Sequence, residues 1–243
     1  MNHRSPRLLR AAALALAAAA PAAQAADFNA IGLLTQAEFR AFSEDVASAI
    51  SYKPMIPSEG LGITGFDLGI SAAATEVSNR DVLVKAAGGA SVPKSVPLAA
   101  VRAVKGLPWD IDIGIVAMSL PGTNVRATGG ELRWAFVGGN VAIPAVAVRV
   151  ATMNLSGVDQ LKMRANSVDL SISKGFAFLT PYAGIGRVDV RADAPGTTLT
   201  REKFTQDKVF AGVNIAFGLL ALAVEADKTG DATTAGVKLA LRW

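Results

Sequence analysis

The stretch Trp109-Asp110-Ile111-Asp112-Ile113-Gly114-Ile115 decides the fold class, because its apolar side chains fall on one parity and its acidic or small residues on the other. Successive side chains of a β-strand point to opposite faces, so this spelling gives one oily face and one polar face; a helix, with its period of 3.6, would smear both. The pattern recurs along the chain. Phe66, Leu68, Ile70 and Ala72 oppose Asp67, Gly69 and Ser71, and Leu132, Trp134 and Phe136 oppose Glu131 and Arg133. Val146, Val148 and Val150 oppose Arg149, and Val168, Leu170 and Ile172 oppose Asp169, Ser171 and Ser173. The same reading sets Tyr182, Val188 and Val190 against Arg187 and Asp189, and Val213, Ile215 and Phe217 against Gly212 and Asn214. It sets Leu220, Leu222 and Val224 against Glu225, and Val237, Leu239, Leu241 and Trp243 against Lys238, Ala240 and Arg242. A further strand is expected near Leu98 to Val104, after a Gly- and Pro-bearing stretch from Val82, which makes about ten strands over residues 60–243.

The connections alternate in kind. Lys105 to Pro108, Gly138 to Asn140, Lys174-Gly175 and Gly218 are short and glycine-bearing, at hairpin distance from their flanking runs. Ser119 to Asn124, Asn154 to Gln160, Ala192 to Gln206 and Asp227 to Asp231 read as longer, polar loops. Short turns at one end and long loops at the other are the asymmetry of an outer-membrane barrel.

Composition narrows the class. The 243 residues include no Cys and one His, with 51% hydrophobic and 18% charged residues and a mean hydropathy of +0.36. Disulfide scaffolds and Cys-based metal or redox sites are excluded, and the chain is too apolar for disorder. Arg4, Arg7 and Arg10, the apolar run Ala11 to Ala20 and the small-residue sequence Ala23-Gln24-Ala25 spell a secretory signal peptide over residues 1–25. Cleavage there leaves 21 bases against 20 acids, a balance of +1, and neither His nor Cys. With no Lys/Arg cluster, nothing marks a nucleic-acid partner.

Residues 26–59 form an N-terminal segment with one helical candidate, Thr35 to Ile50. It opens on Thr35-Gln36-Ala37-Glu38, a capping-box spelling, and aligns Phe39, Phe42, Val46 and Ile50 on one stripe. Its polar face is acidic, which favours packing against the rest of the protein over lying on a membrane surface.

Alternation alone also builds soluble sandwiches and carriers. Three features favour lipid. Charges recur at mid-strand on the less apolar face, where a soluble barrel keeps its core. The strand runs match the roughly 9–11 residues that cross a bilayer at a tilt. The alternating run ends on the aromatic Trp243, which resembles the signal that outer-membrane proteins present to their assembly machinery.

Gly60-Leu-Gly-Ile-Thr-Gly-Phe-Asp67, Pro144-Ala-Val-Ala-Val-Arg149, Leu170 through Gly184 and the ending Leu239 to Trp243 resemble uncharacterised proteobacterial outer-membrane β-barrel proteins. The resemblance implies an antiparallel up-and-down transmembrane barrel in the outer membrane of a Gram-negative bacterium. Its implied partners are outer-membrane lipid, the barrel assembly machinery and periplasmic chaperones. It supplies no catalytic or cofactor-binding residue.

With the oily parity turned to lipid, the lumen would hold Asp67, Asp112, Glu131, Asp169, Asp189 and Glu225 against Arg133, Arg149, Arg187, Lys238 and Arg242. A barrel of ten strands is narrow, so these charges are expected to pair and fill it. Enzymatic readings fail on chemistry. The omptin-like proteases, the outer-membrane phospholipase and the lipid A deacylase use a His, absent from the mature chain. Asp110 and Asp112 read as solvated or ion-paired, Asp227 to Asp231 lacks the ligand spacing of a calcium loop, and Gly60-x-Gly62 precedes a strand rather than a phosphate-binding helix. No metal or cofactor is expected. The sequence therefore points to a structural or surface-interaction barrel, with a small-solute or ion channel second and a soluble periplasmic carrier third.

Overall fold

The computed structural model describes residues 28–121 and 123–243; the signal-peptide reading of residues 1–25 lies outside them. Ten antiparallel strands close on themselves in up-and-down order: β1 (Phe66–Glu76), β2 (Ser95–Gly106), β3 (Ile111–Ser119), β4 (Arg126–Val137), β5 (Ala145–Ser156), β6 (Lys162–Ser173), β7 (Leu179–Asp193), β8 (Glu202–Phe217), β9 (Leu220–Thr229) and β10 (Ala232–Arg242). The ring is sealed where Asp67 of β1 faces Arg242 of β10. Among the described residues two α-helices accompany it, α1 (Gln36–Ile50) and α2 (Arg80–Ala86), the second inside the β1–β2 connection. Pro97 is accommodated because it lies where β2 pairs only with β1; the ladder with β3 starts at Ala99.

Several strands run further than their spelling suggests. β8 begins at Glu202, inside the stretch read as loop, and the β9–β10 turn is only Gly230-Asp231, which leaves Asp227 within β9. Lys203, Thr205 and Asp207 are exposed while Phe204, Gln206 and Lys208 between them are buried. A strand whose outer face is polar composes like a loop, which hides it from a search for oily alternation.

The barrel has two storeys, and apolar residues change sides between them. In the half nearer the short turns they face outward: Ile113, Ile115, Leu132, Val150, Leu170, Ile185, Val209, Leu222 and Leu239 are all exposed. Outward aromatic residues gather at the turn end, with Phe66 stacked on Trp243 at 5.2 Å, Trp134 against Phe136 at 5.8 Å and Phe178 stacked on Phe217 at 6.0 Å. In the half nearer the long loops they face inward, where Val116, Met118, Ala127, Met153, Met163, Val188, Val190 and Phe204 form one buried cluster. The outward positions there are polar, among them Thr152, Asn166, Arg164, Arg187 and Asp207.

This inversion corrects the reading of β7. Val188 and Val190 are buried inside at 0% and 2% exposure, and Tyr182 lies inside at 4%. Arg187 and Asp189 are therefore outside the lumen, where Arg187 pairs with Asp207 at 3.1 Å and Asp189 accepts a hydrogen bond from Thr205 at 2.6 Å. The cause is the partner: valines above mid-height join the buried interior cluster that includes α1 rather than facing outward.

Helix α1 supplies that partner. Thr35 caps it, its hydroxyl accepting from the Glu38 amide while the Glu38 carboxylate accepts from the Thr35 amide. Its apolar stripe Phe39, Phe42, Val46 and Ile50 is buried. The helix touches β1, β6, β8 and β10, strands on different sides of the ring, so it sits within the barrel mouth. Burying Phe39 and Phe42 at 0% exposure contributes about 1.5–3 kcal/mol each.

Candidate functional site

Below α1 the chain runs down the lumen, turns at Gly62 and rises as β1. Every residue from Ser51 to Ser58 is buried. An extended backbone carries unpaired N–H and C=O groups, so it can lie in a closed barrel only if the wall supplies partners. The inward side chains supply them. Lys208 donates to the Tyr52 carbonyl at 2.6 Å, and Arg102 donates to the carbonyls of Lys53 and Pro54, both at 2.9 Å. Glu225 accepts from the Met55 amide at 2.6 Å and from the Tyr182 hydroxyl at 2.9 Å. Ser173 and Ser171 bond the amide and hydroxyl of Ser58, each at 2.9 Å. Arg133 donates to the carbonyls of Pro57 and Glu59, and Asp112 accepts from the Leu61 amide at 3.0 Å.

The wall groups also hold one another. Asp112, Arg133, Arg149 and Asp169 occupy directly opposed positions on β3, β4, β5 and β6, so the register lays them in one row. Arg133 bonds Asp112 at 2.6 Å, and Arg149 lies 2.6 Å from Glu131 and 3.8 Å from Asp169. The next position on β7 is Gly186, where a Cβ would run into the Asp169 carboxylate. Its absence lets Lys208, opposite on β8, reach Asp169 at 3.4 Å. At the seam Asp67 binds Lys238 at 2.8 Å and Arg242 at 2.7 Å. Tyr52 stands between two guanidiniums, 5.7 Å from Arg102 and 5.8 Å from Arg149, close enough for cation–π attraction.

Met55 marks the tightest point of the segment. Its φ of 48° is left-handed, a conformation that costs a non-glycine residue about 1–2 kcal/mol. Glu225 holds its amide, and inward Gly236 leaves the room that its methyl occupies.

The structure thus brings together nine residues of the sequence-derived charge set: Asp67, Asp112, Glu131, Arg133, Arg149, Asp169, Glu225, Lys238 and, half-buried at the rim, Arg242. Arg187 and Asp189 lie outside. Four members escaped sequence reading: Lys53 in the threaded segment, Arg102 in the Pro-bearing strand, Lys208 just past the stretch read as a loop, and Asp227 at the start of another. The signal for Lys208 was its place two residues beyond Gln206, on the parity of Phe204 and Phe210. Asp110 is exposed at the turn and separated from the buried Asp112. Trp243 closes the ladder, exchanging backbone hydrogen bonds with Phe66 at 2.9 and 3.1 Å. Among the described residues, no group of three or more His, Asp or Glu side chains is arranged to hold a metal ion.

No family model matches the chain, and no curated protein matches it. Solved structures resemble it in outline. The attachment invasion locus protein Ail of Yersinia pestis is 12% identical, over 76% of this chain and 99% of that one, with a TM-score of 0.32. Neisserial surface protein A is 12% identical over 73% and 95%, at 0.30. The outer membrane protein OprG of Pseudomonas aeruginosa is 8% identical over 77% and 97%, at 0.32. At such distances the side chains of this chain carry the functional reading.

Proposed function

We propose that the chain is an outer-membrane β-barrel protein of a Gram-negative bacterium whose lumen is closed by its own N-terminal segment, and that it serves as a structural or surface-interaction barrel. One observation carries the reading: Ser51 to Ser58, wholly buried, run through the ring and are bonded along their length by inward side chains. Support for lipid outside comes from the exposed Ile, Leu and Val side chains of the lower storey, edged by aromatic rings. Along β9 the band runs from Leu220 to Ala226, about 20 Å of strand at about 3.3 Å per residue. A soluble carrier would leave that band in water. No helix among the described residues is long and apolar enough to cross a membrane.

In this reading the signal peptide takes the chain across the inner membrane, chaperones and the assembly machinery insert it, and Trp243 ends the strand they recognise. The surface offered to partners is the long-loop end, where α2 and the β7–β8 connection stand. Catalysis is not part of the reading, nor is a cofactor. Conduction would require Ser51 to Ser58 to leave the lumen. Refolded protein in planar bilayers is therefore expected to give no discrete, reproducible single-channel steps; such steps overturn the closed lumen. Recovery of the protein in the osmotic-shock fraction rather than with outer membranes overturns the membrane assignment.

A further inference from the structure

Above the apolar band, the outer wall carries a row of cations that pairing within the sheet does not explain. Arg164 on β6 is directly opposite Arg191 on β7, and Arg191 is directly opposite Lys203 on β8. All three are exposed. Directly opposed side chains stand about 4.5–5.5 Å apart at Cβ, and like charges at that spacing destabilise a sheet. The cost is not screened away, because the Debye length at physiological salt is about 8 Å.

Of the three neighbouring acids, two are committed to other cations, which leaves Asp189 alone against three bases. Asp193 is taken by Arg201 at 2.6 Å, Asp189 accepts from Thr205 at 2.6 Å, and Asp207 binds Arg187 at 3.1 Å. Arg164 donates only to Asn154, at 2.7 Å, and among the described residues Arg191 and Lys203 have no side-chain hydrogen bond or ion pair. The row above holds the Asp193–Arg201 ion pair and the row below holds Asn166, Asp189 and Thr205, while this one holds three cations side by side.

Height identifies what neutralises them. Val168, the last outward apolar residue of β6, is four residues from Arg164, about 13 Å along a tilted strand at about 3.3 Å per residue. At a tilt of about 40° that is about 10 Å above the hydrocarbon edge, within reach of long Arg and Lys side chains for a headgroup layer about 5–7 Å deep. Guanidinium groups match phosphate oxygens with paired N–H donors, and an ammonium adds a point charge.

We propose that Arg164, Arg191 and Lys203 form a docking stripe for the phosphorylated headgroups of the lipid leaflet around the long-loop end. The proposal rests on the outer-membrane reading. It gives the wall of β6 to β8 a preferred lipid neighbour, with two or more phosphates spanning the three strands.

The test uses the full mature chain in phosphatidylcholine vesicles containing a minority of diphosphorylated lipid A. Flotation reports insertion, and lipid A retained per protein after mild detergent extraction reports docking. Wild type is expected to float and to retain lipid A. The triple variant R164S/R191S/K203S is expected to float equally and to retain at least about fivefold less, given roughly 1 kcal/mol per surface cation near an anionic leaflet. Lys94→Ser, in the β1–β2 connection, is expected to change nothing. Equal retention by wild type and the triple variant overturns the stripe while leaving the membrane reading intact. Failure of wild type to float overturns both. Complete displacement of lipid A by millimolar inorganic phosphate overturns the lipid commitment, since it makes the row a free-anion site.

Discussion

Lys53 of the threaded segment and Asp227 of β9 form an ion pair of 3.0 Å with side-chain exposures of 4% and 2%, joining residues 174 positions apart in sequence. The ammonium also donates to the Ser48 carbonyl at 2.8 Å and the Ser51 hydroxyl at 2.9 Å, and Asp227 accepts from Thr229 at 2.9 Å. The pair lies at the step between storeys, where the chain leaves α1 and starts down the charged lumen. It fixes the depth at which the segment sits.

Asp227→Leu is therefore expected to leave a buried ammonium without its counter-charge, at a cost of about 3–5 kcal/mol, while the double variant K53M/D227L recovers most of it because neither charge remains to be desolvated. Urea midpoints of the detergent-folded protein read the difference. Additive losses in the double variant would show that the two side chains act separately.

The two storeys predict a height dependence on one face of one strand. Leu170 and Asn166 both point outward from β6, Leu170 within the apolar band and Asn166 above it. Leu170→Arg is expected to cost about 2–4 kcal/mol, the penalty of a cation on the lipid face near the midplane. Asn166→Arg is expected to stay within about 0.5 kcal/mol, as an exposed polar exchange does. Refolding yield into vesicles and the urea midpoint measure both. Equal costs would remove lipid from the argument.

The lower storey was legible because lipid and lumen impose opposite polarities on adjacent residues: Ile113 and Gly114, or Leu170 and Ser171, declare their faces in the spelling itself. Thr35 to Glu38 likewise declared the helix start, now seen as a formed capping box. The upper storey was not legible, because Val188 spells an outward oily residue equally well whether lipid or the buried cluster around α1 receives it. Only the position of α1 in the mouth decides, and that position depends on contacts with β8 and β10 far along the chain. The clamp on Ser51 to Ser58 was hidden for a related reason. Its wall residues act on backbone groups, which carry no sequence signature, so Arg102 and Lys208 had no visible partner.

Glu38 gives the mouth an acid sensitivity. The Lys85 ammonium, which hydrogen-bonds its carboxylate at 2.7 and 2.9 Å, together with the Thr35 amide, lowers its pKa to about 2 from an ordinary 4.5. Because the folded-state value lies below the unfolded one, the stabilising contribution is full above pH 4.5 and is lost as pH falls towards 2. Amide protection in the first turn of α1 and in α2, the exchange rate taken relative to its intrinsic value at each pH, is expected to fall across that window. In the variant E38Q protection should be lower at neutral pH and flat across the window; an unchanged acid response in E38Q would assign the titration elsewhere.

The path of the chain also places residues 31–33 at the end of the barrel opposite Trp243. Leu33 is 68% exposed there, beside the Thr197 and Gln160 connections that flank Gly32, whereas Val141 is 97% exposed in a short turn. If the short turns face the periplasm, the N-terminal end has crossed the lumen to the cell surface. The chain contains no Cys, so single cysteines report cleanly. Leu33→Cys is expected to react with a membrane-impermeant maleimide on intact cells, and Val141→Cys only after the outer membrane is opened. Both residues are exposed and lie outside the strands, so the substitutions leave the barrel intact. The reverse pattern would turn the protein upside down in the membrane and put the clamped segment's entrance in the periplasm. Labelling of both sites on intact cells would break the assignment of the two ends to opposite sides of a bilayer.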